Sequence, residues 1–182
     1  MAPPPTVQIA PMRTDRDVRD ASMLLHAHWT WSRSIGLEPI AARMGGVADY
    51  ADPASYYSGP EATLLLADVE GRRVGMVGLR RVRDRPGVAE LRRLFVLGLL
   101  RGQGVGGVLL DAAIAHSLDQ GLTRLELRTR PQVMRRAYTL YRRAGFRDAD
   151  AIDYTARFDV AAMTLDLAEL AVRSSERLFQ CS

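Results

Sequence analysis

Lysine is missing from this 182-residue chain, so all 25 basic residues are arginines. That absence excludes a phosphate-loop lysine, a Schiff-base lysine and a lysine general base. Cysteine is almost missing too. Cys181, the penultimate residue, stands alone, so no intrachain disulfide can form and a reducing, cytoplasmic setting is expected. A nucleophilic cysteine is not expected so close to a frayed end. Three histidines and one cysteine offer no metal-ligand spacing, since His26 and His28 are only two apart in a helical pattern. No metal is therefore expected. No apolar run approaches the ~20 residues that cross a bilayer. Met1 to Thr6 is proline-rich, without the charged-then-apolar order of a signal peptide. A soluble protein with no membrane partner is the expectation. The arginines are scattered rather than gathered in one run, which speaks against a nucleic-acid face and suits a polyanionic ligand.

What is present is ordinary in bulk and specific in detail. Hydrophobic residues make up 47% and charged ones 25%, as in a globular domain. The length suits a single domain over 1–182, with a flexible arm at 1–6 and a C-terminal helix or tail at 168–182. Val7 to Ala10 reads as a strand. Thr14 then caps a helix with acidic Asp15 and Asp17 in its first turn, running to about Ser34 and closed by Gly36. A short helix near Ile40 to Met44 precedes an irregular stretch rich in Gly, Pro and Tyr. Strands at Thr63–Asp68, Arg73–Val82 and Ala89–Leu97, joined by the turns Glu70-Gly71 and Arg85-Pro86-Gly87, predict an antiparallel meander. Then come a helix over Gly104–Gln120, with a stripe of Val105, Val108, Leu109, Ala112 and Ala115, and a strand over Leu122–Thr129. A second helix spans Gln132–Ala144, with a stripe of Val133, Ala137, Leu140, Tyr141 and Ala144. Strands near Ile152–Ala156 and Ala162–Leu167 and a short helix follow. The fold class is α/β (α+β): a mixed sheet, meander first and β-α-β-α-β after, with helices on both faces.

The chemistry concentrates in Arg101-Gly102-Gln103-Gly104-Val105-Gly106-Gly107, between a strand and a helix. Glycines let backbone approach a ligand, and a helix start offers unpaired N–H groups at the positive end of the dipole. Phosphates bind such places. A turn packed tightly for its own sake is the alternative. The same letters satisfy G-x-G-x-x-G at Gly102, Gly104 and Gly107, with Glu126 at the distance of a ribose-binding acid. Against that dinucleotide reading stand the residues Gly98 to Arg101 between strand and loop, the antiparallel strands upstream and the short remainder of the chain.

Two motifs carry a resemblance. Arg101, Gly104 and Gly106 form R-x-x-G-x-G after Glu90-Leu91-Arg92-Arg93-Leu94-Phe95-Val96, and Ala137-Tyr138-Thr139-Leu140-Tyr141 leads to Gly145-Phe146. In this order they resemble the acetyl-CoA signature and the Leu-Tyr…Gly-Phe helix end of the GNAT superfamily of N-acetyltransferases, over roughly Thr63 to Leu167. The resemblance implies acetyl-CoA as cosubstrate and a GNAT-like fold of a bacterial, small-molecule type. It implies that the backbone of Phe95, Val96 and Leu97 pairs with the pantetheine arm, and that amides from Gln103 to Gly107, with Arg101, hold the pyrophosphate. An amide of Val96 or Leu97 would face the thioester oxygen. Glu90 would take the proton from the amine and Tyr141 would protonate the departing thiolate. The chemistry itself wants such groups: an ammonium has no lone pair, a carboxylate can deprotonate it, and a phenol can reprotonate a thiolate. Tyr141 also fits as a core tyrosine, and Glu90 as the partner of an arginine across the sheet. Met134 departs from the family's frequent asparagine and Gly98 from its proline.

The acceptor is expected to be set by the first helix and the segment up to Pro60, where Trp29, Trp31, Tyr50, Tyr56 and Tyr57 gather. Arg128 and Arg130 are candidates to meet a carboxylate on a small amine substrate. The competing readings are a protein or peptide N-acetyltransferase and a non-catalytic CoA-binding regulatory module. Apolar residues between Leu167 and Leu178 would suit a homodimer.

Overall fold

The computed structural model describes residues 6–37, 47–149 and 160–170. The chain divides into two compact units, Met1–Arg80 with Arg92–Ala113, and Arg81–Leu91 with Ile114–Ser182.

In the first unit, β1 (Val7–Pro11) pairs antiparallel with β2 (Ala62–Val69), and β2 pairs antiparallel with β3 (Arg72–Arg81). Their hairpin turns on Glu70 and Gly71, both at positive φ (52° and 79°), the geometry whose twist matches the flanking strands. Helix α1 (Asp15–Ser34) begins with a full capping box: the Thr14 hydroxyl accepts from the Asp17 amide at 3.1 Å, and the Asp17 carboxylate accepts from the Thr14 amide at 3.0 Å. Its buried stripe is Asp17, Ala21, Leu24, Leu25, His28 and Ser32, at helical spacing. Two short helices follow, α2 (Ala48–Ala51) and α3 (Pro53–Tyr57), the second capped by Asp52 and opened by a proline. Ala21, Leu24 and Leu25 pack with Tyr57, Leu64, Leu66, Met76 and Phe95 in the core.

Strand β4 (Val88–Val96) contributes Arg92–Val96 to the first unit. Arg93 sits at φ 57°, in the left-handed region that residues other than glycine seldom occupy. One such residue breaks the alternation of a strand. Arg92 and Arg93, adjacent in sequence, accordingly both reach Asp49. Helix α4 (Val105–Asp119) buries Val105, Leu109, Leu110 and Ala113. The expected stripe is rotated: Val108 and Ala115 are exposed. Val105 and Leu109 are common to both faces, and Leu109 lies 3.0 Å from where a β-carbon on Gly75 would be, a close approach to β3 that only glycine allows.

In the second unit, Val88–Glu90 of β4 pairs in parallel with β5 (Arg124–Thr129), the ladder ending at Glu90↔Glu126. β7 (Ala161–Asp166) pairs antiparallel with β5 on one side and with β6 (Arg147–Ala149) on the other. Helix α5 (Arg135–Arg143) starts later than the periodicity predicts, because Pro131 opens a turn in which the Val133 and Met134 amides donate to the Arg130 carbonyl. Val133, expected on the stripe, is exposed, and Tyr141 is the buried residue of the helix.

The hydrogen-bonded strand order β1-β2-β3-β4-β5-β7-β6 makes a mixed sheet of seven, and the α/β class with its meander and later crossovers is as expected. Three-residue β6, wholly exposed, is an addition to it. The expected helix near Ile40–Met44 and strand near Ile152–Ala156 lie outside the described residues.

Candidate functional site

The glycine loop of the first unit is built to leave backbone donors open. After β4, a 3₁₀ turn (Gly98–Leu100) lifts the chain, and Leu99 at its tip is 95% exposed. Gly102 and Gly104 then take φ of 86° and 87°, a conformation natural to glycine, and a β-carbon on either would project into open space. The Gly104 carbonyl accepts from the Gly107 amide at 2.9 Å and the Val108 amide at 3.2 Å, so Gly104 starts α4. The first turn of a helix leaves its amides without intrahelical acceptors. Among the described residues, those of Gly102, Gly104, Val105 and Gly106 meet no acceptor, whereas the Gln103 amide turns back to Leu100. The expected donor set, Gln103 to Gly107, thus narrows at both ends.

Arg101 does not project from this loop. Its Nε donates to the Val96 carbonyl at 2.8 Å, and its guanidinium lies 4.9 Å from the Trp31 ring centre and 5.2 Å from that of Phe95. Burial there lowers its pKa. It clasps the end of β4 to α1. The Leu97 amide is engaged by the Val74 carbonyl at 2.9 Å. Alternation along the strand turns the Val96 amide to the opposite edge, beyond the point where the ladder to β5 ends. Of the two amides expected to face a thioester oxygen, that of Leu97 is therefore already engaged.

Beside Phe95 lies a packed polar and aromatic cluster. His28 shares a hydrogen bond with the Tyr50 hydroxyl at 2.7 Å and meets Phe95 edge-on, with ring centres 5.4 Å apart. Burial, with the nearby positive charges of Arg93 and Arg101, lowers the His28 pKa to about 3, so the ring is neutral. Burial likewise pushes Tyr50 up to about 12. Asp49 is fully buried, held by two hydrogen bonds from Arg93 (2.8 and 2.9 Å) and one from the Tyr57 hydroxyl (3.0 Å). Burial alone would raise its pKa, but Arg93 and Arg92 hold it below the usual carboxylate range.

Glu90 and Tyr141 belong to the second unit. Glu90 pairs with Arg128 at 3.1 Å, both side chains partly exposed. Arg128, expected to await a substrate carboxylate, thus already faces one from the protein. Arg130 lies past the end of β5 rather than on its face. Glu126, the acid of the dinucleotide reading, is clamped by Arg85 through two hydrogen bonds of 2.8 and 2.6 Å, and that reading fails. Tyr141 is 5% exposed and stacks obliquely on Phe146, with centres 5.8 Å apart. Burial raises its pKa, so it is held as the neutral phenol.

Sequence reasoning missed the Asp49 cluster and the Trp31–Arg101 clasp. The Arg92-Arg93 doublet inside a strand of otherwise alternating pattern was the available signal.

A mixed seven-stranded sheet with a glycine-rich loop at a strand-to-helix junction defines the chain as a mixed α/β protein. The acetyltransferase (GNAT) family model matches residues 26–146, two thirds of the chain and parts of both units. The chain belongs to that family and is an acyltransferase. Among solved structures, a GNAT-family acetyltransferase from Staphylococcus aureus Mu50 is similar at 18% identity and a TM-score of 0.68, over 89% of this chain and 99% of that one. A PaiA N-acetyltransferase from Thermoplasma acidophilum, in complex with coenzyme A, is similar at 17% identity and 0.68, over 88% and 99%. An aminoglycoside 6′-acetyltransferase type Ii is similar at 16% identity and 0.66, over 88% and 97%. These likenesses concern the fold. No curated protein matches the chain in sequence.

Proposed function

We propose that the chain is a single N-acetyltransferase domain that moves the acetyl group of acetyl-CoA to a primary amine of a small molecule, by direct attack in a ternary complex. The observation that carries this reading is the loop, where the amides of Gly104, Val105 and Gly106 are unengaged at the positive end of a fifteen-residue helix. A diphosphate fits there: the two positive-φ glycines leave a cradle that side chains would fill. Phe95, Val96 and Leu97 would supply the strand edge for the pantetheine arm. The similar structure holding coenzyme A supports the choice of cosubstrate.

Acetyl-CoA supplies an activated acyl group, and the chain's residues do the rest. Glu90, oriented by Arg128, takes the amine's proton. Tyr141, kept protonated by burial, supplies one to the leaving sulfur. Among the described residues its hydroxyl makes no hydrogen bond, which leaves that proton available. No helix among them is long and apolar enough to cross a membrane, which agrees with work in the cytoplasm.

The test is free-thiol release from acetyl-CoA over a panel of amines, comparing wild type with Tyr141→Phe. Wild type should release thiol only when an amine is present, and the variant should be about 10²-fold slower or worse with acetyl-CoA binding retained. Binding without turnover on every amine would favour the regulatory-module reading.

A further inference from the structure

Arg101, expected beside the pyrophosphate, runs its side chain back along β4 instead. Its Nε donates to the Val96 carbonyl at 2.8 Å, five residues upstream. Its guanidinium rests 4.9 Å from the Trp31 ring centre and 5.2 Å from that of Phe95, so rings from α1 and from the strand both hold the cation.

The direction of that contact matters. The Leu97 amide donates to the Val74 carbonyl of β3 at 2.9 Å. Successive residues of a strand turn their backbone groups to opposite edges, and the N–H and C=O of one residue share an edge. Val96 therefore turns both its amide and its carbonyl away from β3. Arg101 stands at that edge, the one on which the Val96 amide would meet a thioester oxygen. A guanidinium presents Nε–H and one Nη–H side by side, as a fork. With Nε on the Val96 carbonyl, the neighbouring Nη–H is turned to the same edge.

That fork is half used. Among the described residues, no acceptor meets either Nη, and no carboxylate lies within ion-pair distance of Arg101. Arg73, Arg85 and Arg93, by contrast, each close on a carboxylate. Burial is the one influence that shifts the Arg101 pKa, downward, with no negative charge to offset it. A cation partly stripped of water and lacking a counter-charge is held at a cost, which a ligand gathering negative charge relieves. Arg101 is nevertheless exposed, so a ligand can reach it.

We propose that Arg101 is a catalytic residue: its Nη donors, held at Val96 by Trp31 and Phe95, meet the thioester oxygen of acetyl-CoA and stabilise the charge that gathers there. The pyrophosphate is left to the loop amides. The proposal rests on the acetyltransferase reading and deepens it. As the amine nitrogen bonds to the acyl carbon, the carbonyl π pair moves onto oxygen, where Arg101 and the Val96 amide receive it. The pair returns as the carbon–sulfur bond breaks and its electrons leave on sulfur. The proton lost by nitrogen and the one gained by sulfur follow the acid–base route given above. Arg101 stays protonated throughout and supplies only hydrogen bonds. Trp31 is a positioning residue, since it acts through Arg101.

The experiment compares wild type with Arg101→Gln, Arg101→Lys, Trp31→Ala and Trp31→Phe, with melting temperature confirming that each folds. Infrared difference spectroscopy reads the carbonyl stretch of bound acetyl-CoA. Titration with CoA and with pantetheine, and thiol release over the amine panel, are measured separately. The carbonyl band should lie at lower wavenumber on wild type than on Arg101→Gln, because a charge-assisted hydrogen bond polarises the bond. In Arg101→Gln kcat should fall about 10²-fold, with the ratio of CoA to pantetheine affinity as in wild type. Arg101→Lys, which keeps the charge and loses the fork, should fall between the two. Trp31→Ala should lose part of the band shift and Trp31→Phe should restore it. A band in the same place on wild type and Arg101→Gln overturns the proposal. So does a CoA affinity that drops to that of pantetheine with kcat intact, which assigns Arg101 to the pyrophosphate. An Arg101-dependent band with no thiol release from any amine keeps the contact and removes the acetyltransferase reading.

Discussion

The Arg101–Gly107 loop and the Asp49 cluster lie in the same unit and solve opposite problems. In the loop, polar groups are left unspent: amides at a helix start face open space beside glycines that no side chain crowds. In the cluster, polar groups are spent on one another, with a fully buried carboxylate answered by Arg93, Arg92 and Tyr57. Unsatisfied donors at a surface cost little and await a ligand. A buried charge is tolerable only when matched. The contrast predicts that damage to the cluster unfolds the protein, whereas damage to the loop leaves it folded and unable to bind.

The largest effect should follow Asp49→Asn, which removes the buried negative charge that Arg93 and Arg92 meet. Chemical denaturation should show a loss of about 3–5 kcal/mol. Gly104→Val should lower CoA affinity by at least about tenfold, measured by titration, because it forces a branched residue to positive φ and fills the cradle. Its melting temperature should fall far less than that of Asp49→Asn; a matching fall would erase the contrast.

Titration sharpens the contrast further. The folded His28 pKa of about 3 lies below the unfolded value of about 6.5. Its contribution to stability is therefore complete above about pH 6.5 and eroded as pH falls from there towards 3. His28→Phe should flatten the stability profile across that window, read from denaturation midpoints. The smallest effect belongs to the α1 cap. Burial would raise the Asp17 pKa, but hydrogen bonds from the Thr14 and Arg13 backbone, the Thr14 hydroxyl and Arg73 lower it to about 2. Asp17→Asn should cost about 1 kcal/mol above pH 4, a deficit that closes as pH falls towards 2.

The conformation of the loop was legible in the sequence because glycine spacing reports backbone directly, and Gly102 and Gly104 do take positive φ. The meander was legible for a similar reason: Glu70-Gly71 and Arg85-Pro86-Gly87 are turns by local chemistry. The left-handed Arg93 was not, because nothing in arginine marks a positive φ and only tertiary pairing with Asp49 enforces it. The rotated stripe of α4 was hidden for the same kind of reason. Its alanines, valines and leucines make several faces apolar enough, and only tertiary packing, which buries Leu110 and Ala113 and leaves Val108 exposed, chooses among them. Arg128 illustrates a third limit: a charge on a strand shows that a partner is needed, and only the fold names Glu90.

A pyrophosphate held by the Arg101–Gly107 loop is the central contact of the proposed function. Titration of wild-type protein with CoA and with pantetheine, which lacks the nucleotide and its pyrophosphate, isolates that contact. CoA should bind at least about 10²-fold more tightly, since several charge-assisted hydrogen bonds are at stake, and Gly104→Val should remove most of the difference. Pantetheine binding as tightly as CoA would contradict it.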